Sequence, residues 1–190
     1  RSGSDYTASI FASAVDATAL EIWTDVSGVL TSDPNLVYTA ITIPHLTYYE
    51  AMELSHFGAK VIFPATIQPV MKKNIPIYIK NTFEPENKGT LINGDLSQGG
   101  LIKGISSLSE ISLVTVQGTG LLEEGAALSR VFKALAESKI KIILISQASS
   151  EHSICLAIKT EETPLAKEAL EKEFIYEIKS GEMEDVSLLH

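Results

Sequence analysis

Cysteine is almost absent from this chain: Cys155 is the only one in 190 residues. A lone cysteine excludes an intrachain disulfide framework and fits a reducing compartment, which points to the cytoplasm. It sits within Ile154-Cys155-Leu156-Ala157-Ile158, where a small buried hydrophobe is the ordinary reading. Positive charge is scarce too, with 15 Lys and Arg against 24 Asp and Glu, a net charge of −9 and a pI near 4.9. That balance argues against nucleic acid as the main partner, since phosphate binding needs clustered Lys and Arg, and no basic stripe interleaved with aromatics occurs. No run approaches the ~20 apolar residues that a membrane helix requires, and no charged-then-apolar signal pattern occurs. The histidines, His45, His56, His152 and His190, are isolated and lack metal-ligand spacing, so no metal site is expected of them. Apolar residues are plentiful, at 45% with a mean hydropathy of +0.16. They are ample for a core, in one domain or two small ones.

The stretch EIWTDVSGVLTSDPN, residues 21–35, carries the most chemistry. An apolar strand (Ala19 to Trp23) runs into Thr24 and Asp25, followed by Gly28 and a second acidic turn at Asp33-Pro34. Open α/β sheets build ligand sites in this way, beyond the carboxyl ends of strands, where backbone groups and short polar side chains reach the ligand. A plain connecting loop reads the same when taken alone. Neighbouring segments support an α/β layer. Gly3-Ser4-Asp5 precedes a helical run, Tyr6 to Val15, with Ser4 or Asp5 as natural N-cap. Thr47-Tyr48-Tyr49-Glu50 has capping-box spacing and opens a helix to Phe57, ended by Gly58. A strand at 61–63, a helix at 66–72 and a strand at 75–79 follow.

Residues 83–103 are rich in Gly, Asn and Pro and read as a linker, with the domain boundary near 93–101. Beyond it, strands are expected at 111–117, 141–147 and 153–159, with a last one from about Ile175. Leu128, Val131, Phe132 and Leu135 form the i, i+3, i+4, i+7 stripe of one buried helix face. Leu165, Ala166, Ala169 and Leu170 do the same for a second helix. A βαββαβ order within ~70 residues is the ferredoxin-like split arrangement. GTGLLEEG is not a phosphate-binding P-loop, because the terminal Gly-Lys-Ser/Thr is missing.

Several of these segments together resemble the aspartokinases, most closely the kinase portion of bifunctional aspartokinase–homoserine dehydrogenases. The resemblance rests on GSDYTA (3–8), IWTDVSGV (22–29), EAMELSHFGAKV (50–61), IPIYIKNT (75–82), KGIS (103–106), ISLVTVQGTG (111–120) and ISQASSEHSI (145–154). It implies an α/β fold: the C-terminal part of an amino-acid-kinase domain over 1–92, a linker over 93–102, and a ferredoxin-like ACT domain over 103–190. Implied with it is transfer of the γ-phosphoryl of ATP, with Mg, to the side-chain carboxylate of aspartate. NADP would enter only if a homoserine dehydrogenase domain follows.

By the same resemblance, Arg1, Ser4 and Asp5 contact aspartate, where a guanidinium suits a carboxylate and a carboxylate suits an ammonium. Thr24, Asp25, Leu30, Lys60 and Val61 match nucleotide positions. Leu30 stands where the family often has an aromatic residue, and Asn35 where an arginine follows Asp-Pro. ACT modules commonly pair side by side and bind an amino acid at their interface, implying a homo-oligomer. Gln147, Gly118, Gly120 and Ser149 are then the regulatory contacts, with threonine as effector. Arg1 is not a start methionine, which suggests a piece of a longer polypeptide. Catalytic residues are expected in an N-terminal half not present here, and the chain alone is expected to lack useful kinase activity. The alternative for the isolated chain is a non-catalytic module for amino-acid binding and dimerisation.

Overall fold

Alternation of apolar and polar residues in Leu20-Glu21-Ile22-Trp23 is the pattern of a strand with one buried face. It forms β1 (Leu20–Thr24), with Leu20 and Ile22 buried and Glu21 and Trp23 on the outer face. The structure is a computed structural model and describes residues 3–59, 61–97, 100, 102–118, 126–147 and 153–189, with the side chain of Ala126 excepted. The chain divides into two units, Arg1–Leu108 and Ser109–His190.

In the first unit α1 (Gly3–Ala14) precedes β1, followed by β2 (His45–Thr47), α2 (Tyr48–His56), α3 (Pro64–Met71), β3 (Ile77–Asn81) and β4 (Thr90–Asn93). The sheet order is β1-β3-β4-β2; β1 runs parallel to β3, β2 parallel to β4, and β3 antiparallel to β4. Leu20, Ile22, Leu46, Ile67, Val70, Ile77, Ile79 and Ile92 make one core between sheet and helices. The Ser9 hydroxyl donates to the Thr66 carbonyl at 2.5 Å, tying α1 to α3.

α2 starts where its sequence signal says. Thr47 Oγ1 accepts from the Glu50 amide (3.2 Å) while Glu50 Oε2 accepts from the Thr47 amide (2.7 Å), a reciprocal capping box. Burial pushes the Glu50 carboxyl up, but the Thr47 amide and the Lys103 ammonium outweigh it and hold it below the ordinary carboxylate range. Such a depressed acid contributes stability above its unfolded-state pKa, and loses it as pH falls through the folded value. Phe57 caps the other end and Gly58 follows at φ +123°.

The second unit contains β5 (Ile111–Gln117), α4 (Ala126–Glu137), β6 (Leu144–Gln147), β7 (Ser153–Lys159), α5 (Thr163–Glu173), α6 (Ile175–Ser180) and β8 (Ser187–Leu189). Its antiparallel sheet has the order β6-β7-β5-β8. Val114, Val116, Ile154, Leu156 and Ile158 face Val131, Leu135, Ala166, Leu170 and Phe174 in a second core. Arg130 clamps the end of α5: its Nε donates to Glu173 Oε1 at 2.8 Å, its Nη2 donates to the Glu173 carbonyl at 2.7 Å, and its Nη1 pairs with Glu177. The guanidinium also lies 4.4 Å from the Phe174 ring centroid. The Arg130 hydrogen bond holds Glu177 below the ordinary carboxylate range.

Four local expectations are corrected. Residues 61–63 form a turn and bend, and no strand among the described residues pairs with them. The last strand does not begin at Ile175; α6 occupies 175–180, ends at Gly181 in a left-handed conformation (φ 78°), and β8 comes at 187–189. Ser4 and Asp5 lie inside the first turn of α1 rather than at its cap. Residues 103–108 group with the first unit, held by Ile105, whose amide donates to the Thr31 carbonyl at 2.8 Å.

Candidate functional site

At the carboxyl end of β1 the chain turns into a loop stitched by short-range hydrogen bonds. The Thr82 amide donates to the Thr24 carbonyl (2.8 Å), extending the β1–β3 register by one step. Thr24 Oγ1 donates to Asp25 Oδ1 at 3.0 Å. Gly28 follows at φ +109°. A Cβ at Gly28 would stand 2.9 Å from both Thr42 Cγ2 and the Thr90 amide nitrogen, and nearer still to Thr90 Oγ1. The loop passes that close because Thr90 Oγ1 accepts from the Val29 amide (2.8 Å) and donates to the Ile43 carbonyl (2.7 Å). Leu30 then bridges Thr42 in antiparallel fashion, and Thr31 exchanges bonds with Ile41. At the acidic turn Asp33 Oδ1 accepts from both the amide and the side-chain nitrogen of Asn35, each at 2.9 Å. This is an Asx turn closed by its own side chains.

The loop encloses a cavity of about 300 Å³, at the small end of the range for ligand sites. Thr24, Asp25, Gly28 and Leu30 line one side, with Asp33 and Asn35 beside them; Gly58, Ala59 and Val61 come from the end of α2. Ile105, Ser106 and Ser107 complete the lining. The described lining thus holds two carboxylates and neither Lys nor Arg. It suits donor groups such as amino and hydroxyl, whereas a phosphate would be repelled.

Of the residues singled out from sequence, Thr24, Asp25, Leu30 and Val61 come together around this cavity. Ser4 and Asp5 do not line it; Ser4 Oγ donates to Asp5 Oδ1 at 3.2 Å at the exposed start of α1. Gln147 is exposed at the end of β6 and pairs with Ile154, which pairs in turn with Val116. Gly118 lies two residues beyond Val116 at the same end of the sheet, buried and bridged to Met183. Arg1, Lys60, Gly120 and Ser149 fall outside the described residues. Sequence reasoning missed Ile105 to Ser107 as lining, because their approach to Thr31 is a contact between distant positions without a local signal. Among the described residues no group of three or more His, Cys, Asp or Glu side chains is placed to hold a metal ion. No helix among them is long and apolar enough to cross a membrane.

Comparison with known proteins finds matches over both units. Residues 1–81 match the amino acid kinase family and residues 114–174 match an ACT domain. The bifunctional aspartokinase/homoserine dehydrogenase of Haemophilus influenzae is 44% identical over 190 residues, which is all of this chain and 23% of that protein. The chain belongs to the aspartokinase family. The crystal structure of Clostridium acetobutylicum aspartate kinase aligns at TM-score 0.83 and 30% identity, over 98% of this chain and 42% of that one. Aspartokinase III of E. coli, in complex with aspartate and ADP, aligns at 0.77 and 31%, over 100% of this chain and 42% of that one. The chain therefore spans about a quarter of the length of the bifunctional relative. Within this aspartokinase segment the amino acid kinase match contains every lining residue of the cavity except Ile105, Ser106 and Ser107.

Proposed function

We propose that the protein phosphorylates the side-chain carboxylate of L-aspartate with MgATP, and that this chain supplies the nucleotide side of that site together with a feedback-sensing ACT unit. The observation that carries this is the convergence of Thr24, Asp25, Leu30 and Val61 on one cavity in the region matched to amino acid kinases. Phosphoryl transfer asks a protein mainly for positioning and charge neutralisation. A cavity with two carboxylates and no described cation takes the base and ribose, whose amino and hydroxyl groups donate to Asp25. Leu30 offers apolar contact rather than stacking, and the Asn35 amide, tied to Asp33, brings no positive charge. The phosphates then extend toward Lys60, next in sequence to the lining residues Ala59 and Val61. Magnesium would be carried chiefly by the phosphates and water, since no described group of side chains is placed to hold it. Ser4 and Asp5 are assigned to aspartate by family likeness.

Asp25→Ala is expected to weaken ADP binding by roughly 10- to 100-fold, the worth of a hydrogen bond to a charged group. Calorimetry on the chain with MgADP checks it, and equal affinity in the variant would remove Asp25 from the site.

For the regulatory unit, Gln147 and Gly118 share one end of the sheet, and a side-chain amide both donates to and accepts from an amino acid. The effector proposed is threonine, with Gly120 and Ser149 as further contacts. Calorimetry with threonine, lysine and methionine should yield heat for threonine alone, reduced by about tenfold in affinity in Gln147→Ala; binding of lysine or methionine instead would displace threonine. Strand β6 is an edge strand with Leu144 and Ile145 exposed, a surface suited to pairing with a second copy. A concentration-independent monomer mass in sedimentation would refute that pairing.

A further inference from the structure

Three attachments fix the stretch 103–107, and together they turn it into a wall of the cavity. Lys103, whose side chain is only 12% exposed, pairs with Glu50 Oε2 at 2.9 Å, the same oxygen that accepts from the Thr47 amide at the start of α2. The Ile105 amide donates to the Thr31 carbonyl at 2.8 Å. At Gly58 the backbone passes so close to the Ser107 carbonyl that no side chain fits between them. What these attachments present to the cavity is open surface. Ile105 is 71% exposed, and the hydroxyls of Ser106 and Ser107 make no hydrogen bond among the described residues. An exposed isoleucine beside free hydroxyls, facing Thr24, Asp25 and Leu30, is surface that a ligand with an apolar ring and polar edges would cover.

This stretch lies outside both matched regions, which end at residue 81 and resume at 114. We propose that residues 103–107 form the second wall of the nucleotide pocket, and that Lys103 is a positioning residue for the nucleotide. It acts through Glu50, without touching the ligand. The inference rests on the reading that this cavity takes a nucleotide. Glu50 ties the wall to the first turn of α2, so the ion pair helps hold the two sides of the cavity at their spacing, beside the attachments at Ile105 and Gly58. Lys103→Met removes the pair and leaves the Thr47–Glu50 capping box intact, separating loss of the wall from loss of the helix.

The experiment is calorimetric titration of the 190-residue chain and its Lys103→Met and Lys103→Arg variants with MgADP, beside circular dichroism of each. Lys103→Met should keep the native spectrum and bind ADP about tenfold more weakly, whereas Lys103→Arg should recover affinity to within about threefold. A merely structural role would not give that split between spectrum and affinity. If Lys103→Met unfolds, Lys103→Gln, which keeps a donor on a shorter stem, carries the test with the same expected weakening. Wild-type binding with unchanged affinity in the folded Met or Gln variant overturns the positioning role. A wild-type chain that takes up no ADP overturns the nucleotide reading, and the wall with it.

Discussion

Gly28→Ala is expected to abolish measurable ADP binding and to cost the first unit roughly 2–5 kcal/mol. Two effects add there. The backbone at φ +109° is one that a side chain rarely adopts. Even after paying that strain, the new methyl would sit 2.9 Å from Thr42 Cγ2 and the Thr90 nitrogen, well inside contact distance. The Thr90 hydroxyl cannot yield cheaply, because it joins the Val29 amide to the Ile43 carbonyl. Relief must come from the loop, and the loop carries Thr24, Asp25 and Leu30 into the cavity. Binding therefore fails before folding does. Calorimetry with ADP and urea unfolding of the same variant measure the two losses. Wild-type affinity in Gly28→Ala would mean that the loop's path is immaterial to the site.

The second large effect is expected at Phe174. Its ring, at the junction of α5 and α6, is fully buried in the second core, and the Arg130 guanidinium lies 4.4 Å from its centroid. Phe174→Ala removes the transfer energy of the ring, leaves a cavity, and strips the cation of its aromatic partner. Such truncations cost about 3–5 kcal/mol, with ~0.5–2 more for the cation–π contact. That is a large part of the stability of a unit of this size. Hydrogen exchange should show protection lost in β5 and β7 and retained in β1 and β3. Uniform loss in both units, or none in either, would contradict the assignment of Phe174 to a separate second core.

Much of this was legible in the sequence where the signal is local. Thr47 and Glu50 cap α2 as their spacing says. The alternation in 111–117 and 153–159 gives paired strands, and the Leu128-Val131-Phe132-Leu135 stripe gives a helix over a sheet. Thr24 and Asp25 do end a strand and do line a cavity. Misreadings arose where tertiary context decides. Val61-Ile62-Phe63 is as β-prone as any triplet here, yet no strand among the described residues pairs with it, and Ile62 is buried in a bend. Ile175-Tyr176-Glu177-Ile178 also reads as strand, but Ile178 packs against the second core at helical spacing from Phe174, and Glu177 reaches Arg130. β2 and β4 escaped notice because segments of three and four residues carry too little periodicity. The wall at 105–107 was invisible for a different reason: the bond from Ile105 to Thr31 joins residues far apart in the chain.

The central claim is that residues 24–35, together with 105–107, enclose the base and ribose of a nucleotide. Crystallography of the chain grown with MgADP tests it directly. The expected result is the adenine between Leu30 and Ile105, with Asp25 accepting from the ribose or base and the phosphates directed toward Lys60. ADP bound elsewhere on the chain, with this cavity unchanged, would contradict it.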